Sequence, residues 1–243
     1  ASGEYMKHNS LDSNNVDLLV ASTKSVLGAV PFAGPLLSEI VGSVIPNQRI
    51  DRLSRYIQEL EARLALVENI KIENVLKSAE GVDLIEESFY QASRALTEER
   101  RGYISNIVVN GIDDSVIDYS ESKYLFKILE ELNEQEVIWL RFYLHPTIGG
   151  DKEFREKHSN VLEPIRAFIG SDERTVERSS LQESYKEHLE RLGLIRSRYR
   201  IDRQTGMPQF DKHTGKPSVS TRSITPIGKL LLKQIGLCGE TNA

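Results

Sequence analysis

The chain has 243 residues, 39% of them hydrophobic and 28% charged, with a formal net charge of -5. That balance excludes an intrinsically disordered chain, and the length suits one large domain or two smaller ones. The only cysteine is Cys238, so no internal disulfide can form, and a reducing, cytoplasmic setting is expected.

The first fifteen residues hold no basic stretch leading into an apolar run, so they read as no secretory signal and as a disordered N-terminus, residues 1–15. Residues 16–45 are the least polar stretch, with only Asp17, Lys24 and Glu39 charged. Pro31, Gly34 and Pro35 interrupt it, so VPFAGP predicts a turn inside an apolar helical hairpin. The run between Val26 and Ile45 is long enough to cross a hydrocarbon layer of about 30 Å, but its prolines and Glu39 oppose a stable span. Burial in a helical bundle is expected there, with triggered membrane contact as the alternative.

From Ile50 the residues Leu53, Ile57, Leu60, Leu64 and Val67 follow three and four apart, the spacing of a helix with one buried seam. Gly81 is expected to end that helix or mark the next break. Leu84, Ile85, Phe89, Ala92 and Leu96 continue a helical period, and Thr97 with Glu98 and Glu99 supplies a cap and an acidic first turn for a helix closing at Gly111. Tyr124, Leu125, Ile128, Leu129 and Leu132 form one more amphipathic face. Asn133 and Glu136 have the spacing of a capping box, before a helix that His145-Pro146 stops. TIGGD, residues 147–151, reads as a hinge, and a polar helix is expected from Phe154 to Gly170 with Pro164 inside it.

Leu181, Tyr185, Leu189 and Leu192 predict a helix that stops at Gly193. Residues 194–202 then alternate, with Ile195, Ser197, Tyr199 and Ile201 on one face and Arg196, Arg198 and Arg200 on the other, and residues 219–224 return as a second strand. Between the strands DRQTGMP and DKHTGKP repeat one turn-forming pattern, so the connection reads as a twice-bent hairpin tip. Thr225-Pro226 opens a last helix buried through Ile227, Leu230, Leu231 and Ile235.

Charge is uneven. Between Lys186 and Lys233 there are eleven Lys and Arg against four Asp and Glu, so the C-terminal end is basic and the remainder acidic. The order helix, strand, basic tip, strand, helix is that of a winged helix, and Arg196, Arg198, Arg200, Arg203, Lys212, Lys216 and Arg222 are the candidate contacts to duplex DNA or to a protein partner. Glu183, Glu187 and Glu190 on the preceding helix oppose a phosphate backbone. Self-association into a homodimer stays open.

No catalytic or metal-binding spacing is present. The histidines are scattered, and GxSxG, Walker and GxGxxG patterns are missing, so no enzyme, metal or cofactor is expected. The nearest approach is RFYLH, Arg141 to His145, similar to the Arg and His pair of HEPN-type helical ribonucleases but one residue too short. The plainer expectation puts Arg141 on a helix surface and His145 at its end.

Taken in order, GAVPFAGPLLSEIVGSVIP, FKILEELNEQEVIWLRFY, and LERLGLI followed by SITPIGKLLLKQIG resemble the abortive-infection alpha group of bacterial defence proteins, over about residues 20 to 236. The resemblance implies a helical bundle with a winged-helix-like end and a role in phage defence, and it carries over no functional residue. The expected fold is mainly α: a helical bundle over 16–146, then a winged-helix-like module with a small β-hairpin over 152–237. The expected function is a non-enzymatic interaction protein of bacterial defence with a basic docking module. The alternatives are a winged-helix DNA-binding regulator and a triggered membrane-perturbing effector.

Overall fold

A computed structural model describes residues 47–113, 118–147, 150–168, 170–211 and 215–238. The expected N-terminal tail, the apolar hairpin between Val26 and Ile45, and Lys212 lie outside the described residues. Among those described, ten helices and one two-stranded antiparallel sheet occur, so the protein is mainly α. The chain divides into two compact units, residues 1–130 and 131–243.

In the first unit lie α1 (Asn47–Leu64), α2 (Asn69–Lys77), α3 (Ala79–Arg94), α4 (Glu98–Asp113) and α5 (Tyr119–Glu131). Leu53, Ile57, Leu60 and Leu64 are buried almost completely, and this seam of α1 packs on α3 and α4. Tyr56 joins the seam, its ring edge-on to Phe89 at 6.0 Å, and burial raises its hydroxyl pKa. The helix stops after Leu64, well before Gly81. Gly81 stands instead in the first turn of α3, where its N–H donates to the capping Ser78 hydroxyl at 3.0 Å. Thr97 caps α4, accepting from the Arg100 N–H at 3.1 Å, and α4 runs past Gly111 to Asp113. Leu96 and Tyr124, expected to be buried, are exposed. Leu96 follows the end of α3, so the helical period no longer places it, and Tyr124 stands beside the α5 face formed by Leu125, Ile128 and Leu129.

The second unit holds α6 (Glu134–Phe142), α7 (Lys152–Lys157), α8 (Ser159–Leu162), α9 (Glu173–Arg191), β1 (Ile195–Tyr199), β2 (Val219–Ile224) and α10 (Pro226–Gln234). The division falls at Glu130/Glu131, earlier than the expected 146, because α6 packs on α8, α9 and α10. The Asn133 capping box opens α6, with both reciprocal bonds at 2.9 Å. Its Glu136 is buried and also meets His188 Nδ1 of α9 at 2.7 Å.

No continuous helix spans 154–170. The chain breaks at His158 and leaves helical geometry after Leu162, since Pro164 disfavours the helical region for Glu163. The polar groups so released are taken up by Gln182. Its amide donates to the Val161 and Glu163 carbonyls, at 3.1 and 2.9 Å, and its carbonyl accepts from the Ile165 N–H at 3.2 Å. Gln182 is accordingly buried while Leu181, expected in the apolar stripe with Leu189, is exposed.

Helix α9 starts at Glu173, behind an Asp172 cap, and the chain reverses at Gly193, whose φ of +73° suits glycine. In the ribbon, Ile195 pairs with Ile224, Arg196 with Ser223, Ser197 with Arg222 and Arg198 with Thr221, and the register shifts after Arg198. The repeated tip forms two turns of one design. The Asp202 N–H donates to the Met207 carbonyl at 2.9 Å, and the Asp211 N–H donates to the Lys216 carbonyl at 2.8 Å; each turn has a positive-φ glycine, Gly206 or Gly215. Thr225 then caps α10, accepting from the Gly228 N–H at 3.1 Å. Leu231, Leu232 and Ile235 bury that helix, whereas Ile227 and Leu230 are only half-buried.

Candidate functional site

The six described residues among the seven basic ones singled out from the sequence do not share one face. In a two-stranded ribbon successive side chains point to opposite sides, so Ser197 and Arg222 take one face and Arg196, Arg198, Thr221 and Ser223 take the other.

The Ser197–Arg222 face meets α9. Glu183, Glu187 and Glu190 stand four and three residues apart and form one stripe of the helix. Arg222 pairs with Glu183, Lys216 Nζ lies 2.5 Å from Glu187, and Glu190 accepts from the Ser197 N–H at 3.0 Å and from its hydroxyl at 2.7 Å. The Arg222 side chain is only 12% exposed. Burial opposes its charge, but the hydrogen bond and the negative charge of Glu183 outweigh burial and raise its pKa. Nearby, burial pushes the Tyr143 hydroxyl up to about 12, against the opposing pull of Arg222. Burial also lowers the pKa of Lys186, which lies 4.6 Å over the Trp139 ring. Of the carboxylates expected to repel a phosphate backbone, Glu183 and Glu187 thus pair with the hairpin's own cations and Glu190 with its Ser197.

The other face is open. Arg196 and Arg198 are exposed, and Arg196 Nε donates to the Ser223 hydroxyl at 3.4 Å. Beyond the register shift, Arg200 borders the α9 cleft, and Arg203 sits exposed in the first tip turn. Among the described residues, no carboxylate forms an ion pair with Arg196, Arg198, Arg200 or Arg203. Four large apolar side chains stand open in the same hairpin: Tyr199, Ile201, Met207 and Phe210, each between 44% and 63% exposed.

The division of cations was readable in part. Glu183, Glu187 and Glu190 lie at one-face spacing, and an acidic helix face beside a basic ribbon signals an internal pairing. What the alternation did not reveal was which side of the ribbon the helix would take.

Arg141 is not on an open helix surface. Its side chain is 14% exposed, lies 2.5 Å from Asp151 and stacks at 5.2 Å over Phe154. The His145 carbonyl accepts from Arg155 at 2.9 Å, which ties the turn after α6 to α7. Among the described residues no three His, Cys, Asp or Glu gather as a metal-binding group, and no helix is long and apolar enough to cross a membrane.

Comparison with protein-family models, with curated proteins and with solved structures finds no match to this chain.

Proposed function

We propose that this chain is a non-enzymatic interaction protein of the abortive-infection type. Its C-terminal module, winged-helix-like in the order α9–β1–β2–α10, docks an acidic protein partner through the arginines of the hairpin. The observation that carries this reading is the contrast between the two ribbon faces. Lys216 and Arg222 are already neutralised by α9, while Arg196 and Arg198 are exposed with no carboxylate partner, and elsewhere in the same hairpin Tyr199, Ile201, Met207 and Phe210 are exposed. Exposed arginine, aromatic and methionine side chains are enriched in protein interfaces, where such groups dominate the binding energy.

The unpaired arginines also favour a second reading, a regulator that binds duplex DNA. It has fewer cations at its disposal than the sequence suggested, and each phosphate contact steepens the salt dependence of binding. Fluorescence anisotropy separates the two. Polyglutamate and a labelled duplex are titrated at several salt concentrations against the wild-type protein and the Arg196→Gln/Arg198→Gln/Arg200→Gln variant. The docking reading expects polyglutamate to bind and to weaken at least tenfold in the variant. Tighter, salt-steep binding of the duplex, lost in the same variant, puts the regulator in its place.

A further inference from the structure

The ribbon already binds one partner, its own α9, and that internal complex is a template for the face left open. On the inner side a serine, an arginine and a nearby lysine receive carboxylates spaced four and three residues apart on a helix. On the outer side the same ribbon presents the same chemistry, Arg196 and Arg198 beside Thr221 and Ser223, with no carboxylate on it.

We propose that the outer face of the β1–β2 ribbon docks an acidic helix of a partner protein, one whose carboxylates recur four and three residues apart along a single face. This rests on the docking reading above and adds the partner's shape to it.

The spacings agree. Same-face residues of a strand are about 6.7 Å apart, and positions i and i+4 of a helix rise about 6 Å. A helix laid along β1 therefore brings successive carboxylates to Arg196 and Arg198. The guanidinium fork receives a carboxylate in two parallel hydrogen bonds, and the Thr221 and Ser223 hydroxyls supply further donors, as Ser197 does for Glu190. Charge complementarity selects the occupant: a basic or neutral helix leaves the two arginines unanswered. On the inner face Ser197 and Arg222 meet the carboxylates of α9 through polar atoms, next along the strand from the buried Ile195.

The test uses the full chain and two alanine-based peptides of identical composition. One places glutamates at i, i+4, i+7 and i+11; the other permutes them around the helix. The permuted peptide is expected to bind at least tenfold more weakly, and the difference should vanish in Arg196→Gln/Arg198→Gln. A striped peptide with lysine for glutamate should bind Arg196→Glu/Arg198→Glu and not the wild type. Both positions are exposed, so unchanged emission from Trp139, the sole tryptophan, verifies that the variants fold. Equal binding of both acidic peptides through the arginines overturns the helical occupant and leaves acidic docking standing. If neither peptide binds, both readings fall. A duplex that displaces the striped peptide and binds tighter overturns both in favour of nucleic acid.

Discussion

Along α1 Leu53, Ile57, Leu60, Leu64 and the Tyr56 ring are closed off from water, while along the hairpin only Ile195 is, and Tyr199, Ile201, Met207 and Phe210 stand open. The helix is positioned by excluding water from a stripe. The ribbon is positioned by carboxylates, turn amides and a capped neighbour. The first kind of hold depends on volume and tolerates little loss of it; the second depends on individual polar groups and responds to charge and pH.

Mutations should separate these two kinds of hold. The largest effect is expected from Leu60→Ala, which opens a cavity in the α1 seam and should cost about 3 kcal/mol in urea denaturation followed by far-UV circular dichroism. A loss under about 1 kcal/mol would mean the seam collapses around the gap. Next comes Arg222→Ala, which leaves Glu183 with only Lys186, 3.5 Å away, as an ion-pair partner. A loss of about 2 kcal/mol is expected, read from Trp139 fluorescence, and an unchanged midpoint would demote the Arg222–Glu183 pair to a surface contact. Thr225→Ala removes the cap of α10 and should cost about 1 kcal/mol by the same readout, with Thr225→Ser restoring most of it.

The smallest effect is one of pH. The Thr205 and Gln204 amides and the Thr205 hydroxyl hold the Asp202 carboxyl below its ordinary 3.8. A carboxylate favoured in the fold contributes fully above that ordinary value and loses its contribution as pH falls through the lower folded-state one. The Thr205 amide resonance should therefore hold its position on acidification until pH drops below 3.8. An inflection above 3.8 would contradict the turn's geometry.

Much of the first region could be read in advance. The spacing of Leu53, Ile57, Leu60 and Leu64 names its buried face, because an apolar stripe on a helix has one way to face a core. Asn133 with Glu136, Thr225 with Pro226, and the repeated Thr-Gly turns were equally plain, since each is a local bond between near neighbours in sequence. What escaped was set by distant partners. Gln182 goes inside and Leu181 outside because Pro164, eighteen positions before Gln182, leaves backbone groups that need an amide. The candidate site was legible as a list of arginines and not as two faces. Alternation says that a ribbon has two sides; only the packing of α9 says which of them is already occupied.

Glu190 does one thing more. A ribbon of two strands leaves backbone groups unpaired along its outer edges, and such edges recruit strands from neighbouring molecules into aggregates. The Ser197 N–H, at the middle of β1 and directed away from β2, is held by the Glu190 carboxylate at 3.0 Å. A strand arriving there would have to dislodge a charged group from two hydrogen bonds before it made its first. The carboxylate that completes the α9 stripe thus also occupies a backbone donor on the edge of β1 that an incoming strand would need.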